Sequence, residues 1–223
     1  MSENQNETVY AFYPVFAADP EIELDPDDAA QEVENLFKEL SESVAVRGVY
    51  STVGFRPDAD LMLWLVTPTP DAAQDALVRF RRTSLGRELE LTWSFIGVVK
   101  PAEFTPDHAP AFVKGTPPKR YISVYPYVRT SDWYLLPRDE RSALLQEHGA
   151  IGREFPDVLA NTTSAFGIND WEWILAFEAD DLDRIVDCLH RLREAEARRF
   201  TKEEVPFIAG IRKDVRDAVR DLL

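Results

Sequence analysis

One cysteine and three histidines in 223 residues leave little room for two common chemistries. Cys188 alone cannot close an intrachain disulfide, and its setting in "DRIVDCLHRL" reads as a small core residue on a helix. No second cluster of histidine and cysteine accompanies any of the histidines, which argues against zinc with its three or four protein ligands. No apolar run reaches the roughly 18–20 residues of a membrane-spanning helix. The opening "MSENQNETVY" lacks the charged-then-apolar pattern of a signal peptide. Cations are scarce too: 25 Lys and Arg stand against 40 Asp and Glu, a formal charge of -15. Nucleic acid and anionic membrane surfaces attract the opposite balance, so neither is an expected partner. The combined expectation is a cytoplasmic protein without membrane insertion. An anionic ligand would have to be held by a local group of cations working against the overall field. What the chain does have is apolar and aromatic mass, 45% and 11%, enough for the core of one large domain or two small ones.

The sequence repeats itself. "FYPVF" from Phe12 and "VYPYV" from Val124 are 112 residues apart, and so are "RFRR" from Arg79 and "RLRE" from Arg191. Gly54 and Gly167, each inside an alternating stretch, are 113 apart. Each half parses alike. An aromatic strand comes first (8–18, then 120–130), followed by a helix: "DPDDAAQEVENLFKEL" opens with acidic residues, and "PRDERSALLQEHG" opens on proline and closes on glycine. Two alternating strands follow (45–56 and 58–67; 158–168 and 171–179), then a helix (70–88; 181–200) and a last strand (90–99; 205–212). The pattern β-α-β-β-α-β, twice, predicts an α+β fold of tandem ferredoxin-like units. The helices cover one face of each antiparallel sheet, and the other faces are expected to meet in a barrel-like core of the dimeric α+β barrel type. The expected division is 1–100, a linker at 101–119, and 120–223. Across 100–120 five prolines and one glycine occur in 21 residues, so this stretch has no regular structure, and connections of that length are often functional.

"SVYPYVRTSDWYLL", residues 123–136, sets Tyr125, Tyr127, Trp133 and Tyr134 around one cation, Arg129. Strand alternation puts 125, 127 and 129 on one side. Twelve residues on, in "ERSALLQEHGAIG", Leu144, Leu145 and His148 fall at i, i+1 and i+4, so His148 belongs to the apolar stripe of a helix. Spacing alone leaves two readings: a core histidine with a satisfied hydrogen bond, the commoner case, or a neutral imidazole presented to a haem iron. Tyr125 by itself reads as an inward-packing strand residue.

The segments "VYPYVRTSDWYLLPRDERSALLQEHGAIGREFPDVLANT", "DWEWILAFEADDLDRIV" and "EARRFTKEEVPFIAG" resemble the chlorite dismutase-like haem proteins, and within them the coproheme decarboxylases. The resemblance spans both halves and is strongest from about 120 to 210, on the Tyr-Pro at 125–126, "WYLLP" at 133–137 and "HGxxGR" at 148–153. It implies the same fold that periodicity predicts. It further implies that His148 is the axial iron ligand and Tyr125 the redox-active residue. The family's cation four residues beyond that tyrosine is here Arg129, suited to hold a propionate, and Trp133 belongs near the pocket. One branch of the family draws a distal histidine from the linker, which here is His108, seventeen residues before Tyr125. His190 reads as structural, and Tyr13 is given no catalytic role. Chlorite dismutases carry a distal arginine on the strand after the histidine helix. "PDVLANTTSAF" has none there, which argues against chlorite chemistry and leaves Asn161 as a pocket hydrogen-bonder. Arg153 and Arg198 are candidates for carboxylate binding.

The implied reaction turns iron coproporphyrin III (coproheme) into haem b at the expense of hydrogen peroxide, with His108 as base for the peroxide proton and Tyr125 as the radical that takes a hydrogen from each reactive propionate. The resemblance also implies a homopentamer and transient contact with the upstream ferrochelatase. The nearest alternative is another haem-dependent oxidoreductase on this fold, a peroxidase or a degenerate chlorite dismutase; alternatives from other classes are a non-catalytic haem-binding protein and a structural αβ module in which His148 is a core residue.

Overall fold

Asp25 starts the first helix: its carboxylate accepts the N–H groups of Asp27 and Asp28, each at 2.9 Å, and Pro26 takes the first helical position, where no N–H is needed. The computed structural model, which describes residues 8–101 and 109–223, builds two compact units from such elements.

The first unit runs β1 (Tyr10–Ala18), α1 (Pro26–Leu40), β2 (Ala45–Arg56), β3 (Ala59–Thr67), α2 (Pro70–Phe80), α3 (Ser84–Glu88) and β4 (Leu89–Val98). Its strands pair antiparallel in the order β4-β1-β3-β2, the ferredoxin-like arrangement. Along α1, Ala29, Ala30, Val33, Leu36 and Leu40 recur at helical spacing and pack with Phe12, Phe16, Leu61, Leu63 and Leu65 of the sheet. Each fully buried Leu or Phe there contributes about 1.5–3 kcal/mol. The helix expected over 70–88 is two helices. Thr83 breaks it, donating its hydroxyl to Phe80 O at 2.7 Å and accepting the Gly86 N–H at 3.0 Å. Gly86 lies so near the preceding turn that a Cβ would stand 2.0 Å from Phe80 O.

The second unit covers Lys100–Ala209. It contains β5 (Tyr121–Arg129), α4 (Ser131–Leu135), α5 (Arg138–Gly152), β6 (Leu159–Ser164), β7 (Trp173–Ala179), α6 (Leu182–Leu192), a 3-10 turn (Glu196–Phe200) and β8 (Thr201–Glu203). Its order, β6-β7-β5-β8, repeats that of the first unit, so the duplicated α+β plan is the observed one.

Further expectations change toward the C-terminus. The last strand of the second half, placed at 205–212, is divided: the three-residue β8 takes the place beside β5, while β9 (Ile208–Lys213) pairs with β2. With α7 (Val215–Arg220), the chain from Gly210 onward therefore groups with the first unit and not with 120–209. Ala218 and Val219 join that unit's core, and Arg216 pairs with Glu34 at 3.0 Å. The helix expected over 181–200 ends at Leu192, and the turn after it folds back as a 3-10 segment.

The halves also differ in register by one residue. Phe12 and Phe16 face the helices, whereas Tyr13 lies on the other face of its sheet with its ring 5.0 Å from Trp64. In the second unit Tyr125 faces the helices. A slip of one residue turns every side chain of a strand over. By face, Phe12 and not Tyr13 is the counterpart of Tyr125. The first unit's helix–sheet space is filled by phenylalanine; the second unit's is not.

Candidate active site

That unfilled space is a cavity of about 280 Å³ lying wholly within the second unit. β5 lines it with Tyr125, Tyr127 and Arg129, the alternate residues expected from strand geometry. Trp133 comes from α4, Leu145 and His148 from α5, Thr162 from β6, and Trp173, Leu175 and Phe177 from β7. Leu189 and Leu192 close the α6 side, followed by Arg193, Ala197, Arg198, Thr201 and Glu204. Aromatic and aliphatic side chains make up much of the wall, and three arginines, one histidine and one glutamate stand among them, a mixture suited to a ligand that is apolar in its body and charged at its edge.

His148 is half-buried on α5, and none of its ring atoms hydrogen-bonds to a described residue. Burial, and then the nearby charge of Arg129, push its pKa below the ordinary imidazole value. The ring is therefore neutral at pH 7 with its nitrogens uncommitted, as a metal-ligating imidazole must be.

Tyr125 is 5% exposed, its ring 4.4 Å from that of Phe207 and stacked 6.0 Å from that of Phe177. Burial raises the phenol's pKa far above normal, and the negative charge of Glu204 adds to this. The O–H thus stays protonated at any working pH, which favours losing a hydrogen atom over losing a proton. Tyr127 shares the cavity and is held by a 2.9 Å hydrogen bond to the Thr201 hydroxyl.

Arg129 is packed between rings, its guanidinium 4.1 Å from the Trp133 centroid and 4.9 Å from that of Tyr127. Its backbone N–H donates to Glu172 Oε2 at 2.8 Å and its Nη1 to Ala197 O at 2.9 Å. Among the described residues no carboxylate forms an ion pair with this guanidinium, and desolvation lowers its pKa. A half-buried arginine with spare donors, in a chain carrying 40 carboxylates, is a site for an incoming anion. Trp133 is 4% exposed, wedged between Arg129 and the Phe200 ring, 5.7 Å away.

The other candidates separate. Arg198 lines the cavity and pairs with Glu204 at 2.6 Å. Arg153 does not line it: it caps α5, exposed, five residues past His148 and so about 140° round the helix. Asn161, expected as a pocket hydrogen-bonder, is not among the residues that line this cavity. Its neighbour Thr162 faces the cavity, so alternation turns Asn161 the other way. There Asn161 Oδ1 accepts the Phe112 N–H at 3.0 Å, and Nδ2 donates to Ala176 O and Glu178 Oε1, each at 3.1 Å. His108 lies outside the described residues. No arginine projects from β6.

Sequence reasoning passed over Arg193, Thr201, Trp173, Glu172 and Glu204. Arg193 and Glu204 belong to irregular chain after α6, where no periodicity marks a face. Glu172 acts from behind, anchoring the end of β5 and accepting the Tyr134 O–H at 2.6 Å.

The sequence profile of the chlorite dismutase family matches residues 27–213. A coproheme decarboxylase of Mycolicibacterium smegmatis is 45% identical over 221 residues, 97% of this chain and 96% of that protein. A coproheme decarboxylase of Thermus thermophilus is 29% identical over 200 residues, 82% of this chain and 80% of that protein. Among solved structures, the chlorite dismutase of Candidatus Nitrospira defluvii in complex with imidazole superposes with a TM-score of 0.85 at 23% identity, covering 96% of this chain and 94% of that one. This likeness concerns the fold.

Proposed function

The chain belongs to the chlorite dismutase family, and we propose that it is a coproheme decarboxylase, converting iron coproporphyrin III to haem b. The observation that carries the reading is the 45% identity to a coproheme decarboxylase over nearly the whole of both chains. The cavity agrees with it chemically: a neutral imidazole, an unpaired arginine and a buried phenol face one apolar space.

In this reading iron coproporphyrin is the substrate, and its iron with hydrogen peroxide supplies the oxidising equivalents. Each reactive propionate gives up a β-hydrogen atom, one further electron and carbon dioxide, two electrons in all, leaving a vinyl group. One peroxide takes the two electrons and leaves as two waters. His148 donates a nitrogen lone pair to the iron and fixes the porphyrin's depth. Arg129 grips a propionate carboxylate with the donors it does not spend on Ala197, and Trp133 and Tyr127 hold the guanidinium flat. Tyr125, protonated and stacked, supplies the oxygen that takes the β-hydrogen once the phenol has been oxidised. Its position on the same strand face as Arg129 supports the pairing, because placing the reacting groups removes much of the barrier. His108 remains the proposed base for the peroxide proton. Arg198 remains a proposed carboxylate contact, and Arg153 is left with at most a contact at the rim.

The reading carries with it a homopentamer, a cytoplasmic location and a transient encounter with the ferrochelatase that would supply the substrate. Among the described residues no helix is long and apolar enough to cross a membrane. The test is to mix the purified protein with iron coproporphyrin III, titrate with hydrogen peroxide and follow product mass. Stepwise loss of two carboxyl groups to haem b is the expected result; peroxide consumption without mass loss rejects the proposal.

A further inference from the structure

Among the described residues that line the cavity Glu204 is the one carboxylate, and it is held twice. Arg198 Nη1 lies 2.6 Å from its Oε2, and Arg193 Nη1 pairs with its Oε1. The carboxylate is the enclosed partner, its side chain 15% exposed against 41% and 38% for Arg193 and Arg198. Glu204 itself belongs to the irregular link between β8 and β9, so no ladder of backbone hydrogen bonds holds it there. The two guanidinium groups together offer about ten N–H donors, more than one carboxylate can use.

This arrangement conflicts with a polyanionic ligand unless it rearranges. A substrate carboxylate brought to Arg193 and Arg198 would meet Glu204 already seated, in a chain whose charge is already -15. Release of Glu204 to water relieves the repulsion and leaves the cluster one carboxylate against two cations, as before. We propose that Arg193 and Arg198 form a second carboxylate subsite, distinct from Arg129, and that Glu204 is its exchangeable internal occupant, displaced by a substrate propionate. This rests on the coproheme reading and extends it: the mouth of the cavity selects porphyrins bearing a carboxylate at that edge, since a neutral substituent cannot displace Glu204. Glu204 is then a positioning residue that weakens binding of everything except a ligand able to replace it.

The experiment measures the affinity of iron coproporphyrin III by quenching of tryptophan fluorescence, without peroxide, in folded variants. Glu204→Gln should bind roughly three- to fivefold more tightly, the range expected for releasing an ion pair whose arginines are partly exposed. Glu203→Gln, the same change of charge one residue away on the exposed β8, should bind like wild type. In a background of Arg193→Ala with Arg198→Ala, affinity should fall about tenfold, and adding Glu204→Gln there should bring no gain. A Glu204→Gln gain that survives loss of both arginines would mean general repulsion and would overturn the subsite, as would unchanged affinity in the double arginine variant. Should Glu204→Gln not fold, the arginine variants decide alone. Failure of the wild type to bind iron coproporphyrin at all would instead remove the functional reading on which the subsite rests.

Discussion

Three residues hold opposite states by environment alone. His148 is kept neutral by burial and by Arg129, Tyr125 is kept protonated by burial and by Glu204, and Arg129 is packed against the rings of Tyr127 and Trp133, its pKa lowered by desolvation. Tyr125→Phe removes the phenolic O–H and keeps the ring between Phe177 and Phe207. The variant should fold, bind iron coproporphyrin and still consume peroxide, yet mass spectrometry should find no vinyl product. Full conversion by Tyr125→Phe would end the hydrogen-abstraction role. For His148 the sign follows from its lowered pKa. As pH falls through about 6.5 the unfolded chain takes up this proton first, so the histidine withdraws stability in that window and costs nothing above it. Iron ligation should therefore persist below pH 6.5, where an exposed imidazole would already be protonated. His148→Ala should lose the ligation spectrum and flatten this part of the stability–pH curve; an unchanged spectrum would point to another ligand.

Elements decide which residues can meet. Alternation along β5 was readable beforehand and brings Tyr125, Tyr127 and Arg129 to one wall. On β6 the same alternation works against Asn161 and for Thr162, a choice that composition cannot make because it depends on which face the helices cover. Asn161→Ala removes one acceptor and two donated hydrogen bonds that tie Phe112 and β7 to β6. Denaturant unfolding should show a loss of about 2–4 kcal/mol, several hydrogen-bond equivalents, while affinity for iron coproporphyrin stays as in wild type. An affinity loss without a stability loss would restore Asn161 to the pocket. The break between α2 and α3 gives a second stability test. Gly86→Ala places a methyl 2.0 Å from Phe80 O, so the turn must move, and a cost of about 1–3 kcal/mol is expected in the same measurement.

At the scale of the whole molecule, net charge and duplication set the terms. With a charge of -15 the chain repels a tetracarboxylate at long range, and among the described residues that line the cavity Arg129, Arg193 and Arg198 are the arginines that attract it at short range. Salt at 0.1 M screens beyond about 10 Å and so weakens the repulsion first. Affinity for iron coproporphyrin should fall little, or rise, between low and moderate salt; a steep fall would show that overall steering dominates. The sequence by itself determined the α+β class, the doubled unit, the strand that carries tyrosine and arginine, and the helix that carries the histidine. All of these follow from local periodicity and from capping at residues such as Asp25, which act within a few positions of themselves. Only the tertiary structure decided that Phe12 and Phe16 fill the first unit while Tyr125 borders a void in the second, because a one-residue slip in register leaves composition and spacing almost unchanged. It alone decided that β9 pairs with β2, and that Arg193, Arg198 and Glu204 converge at the cavity. Those contacts join irregular chain to distant elements, and no period in the sequence encodes where such a segment comes to rest.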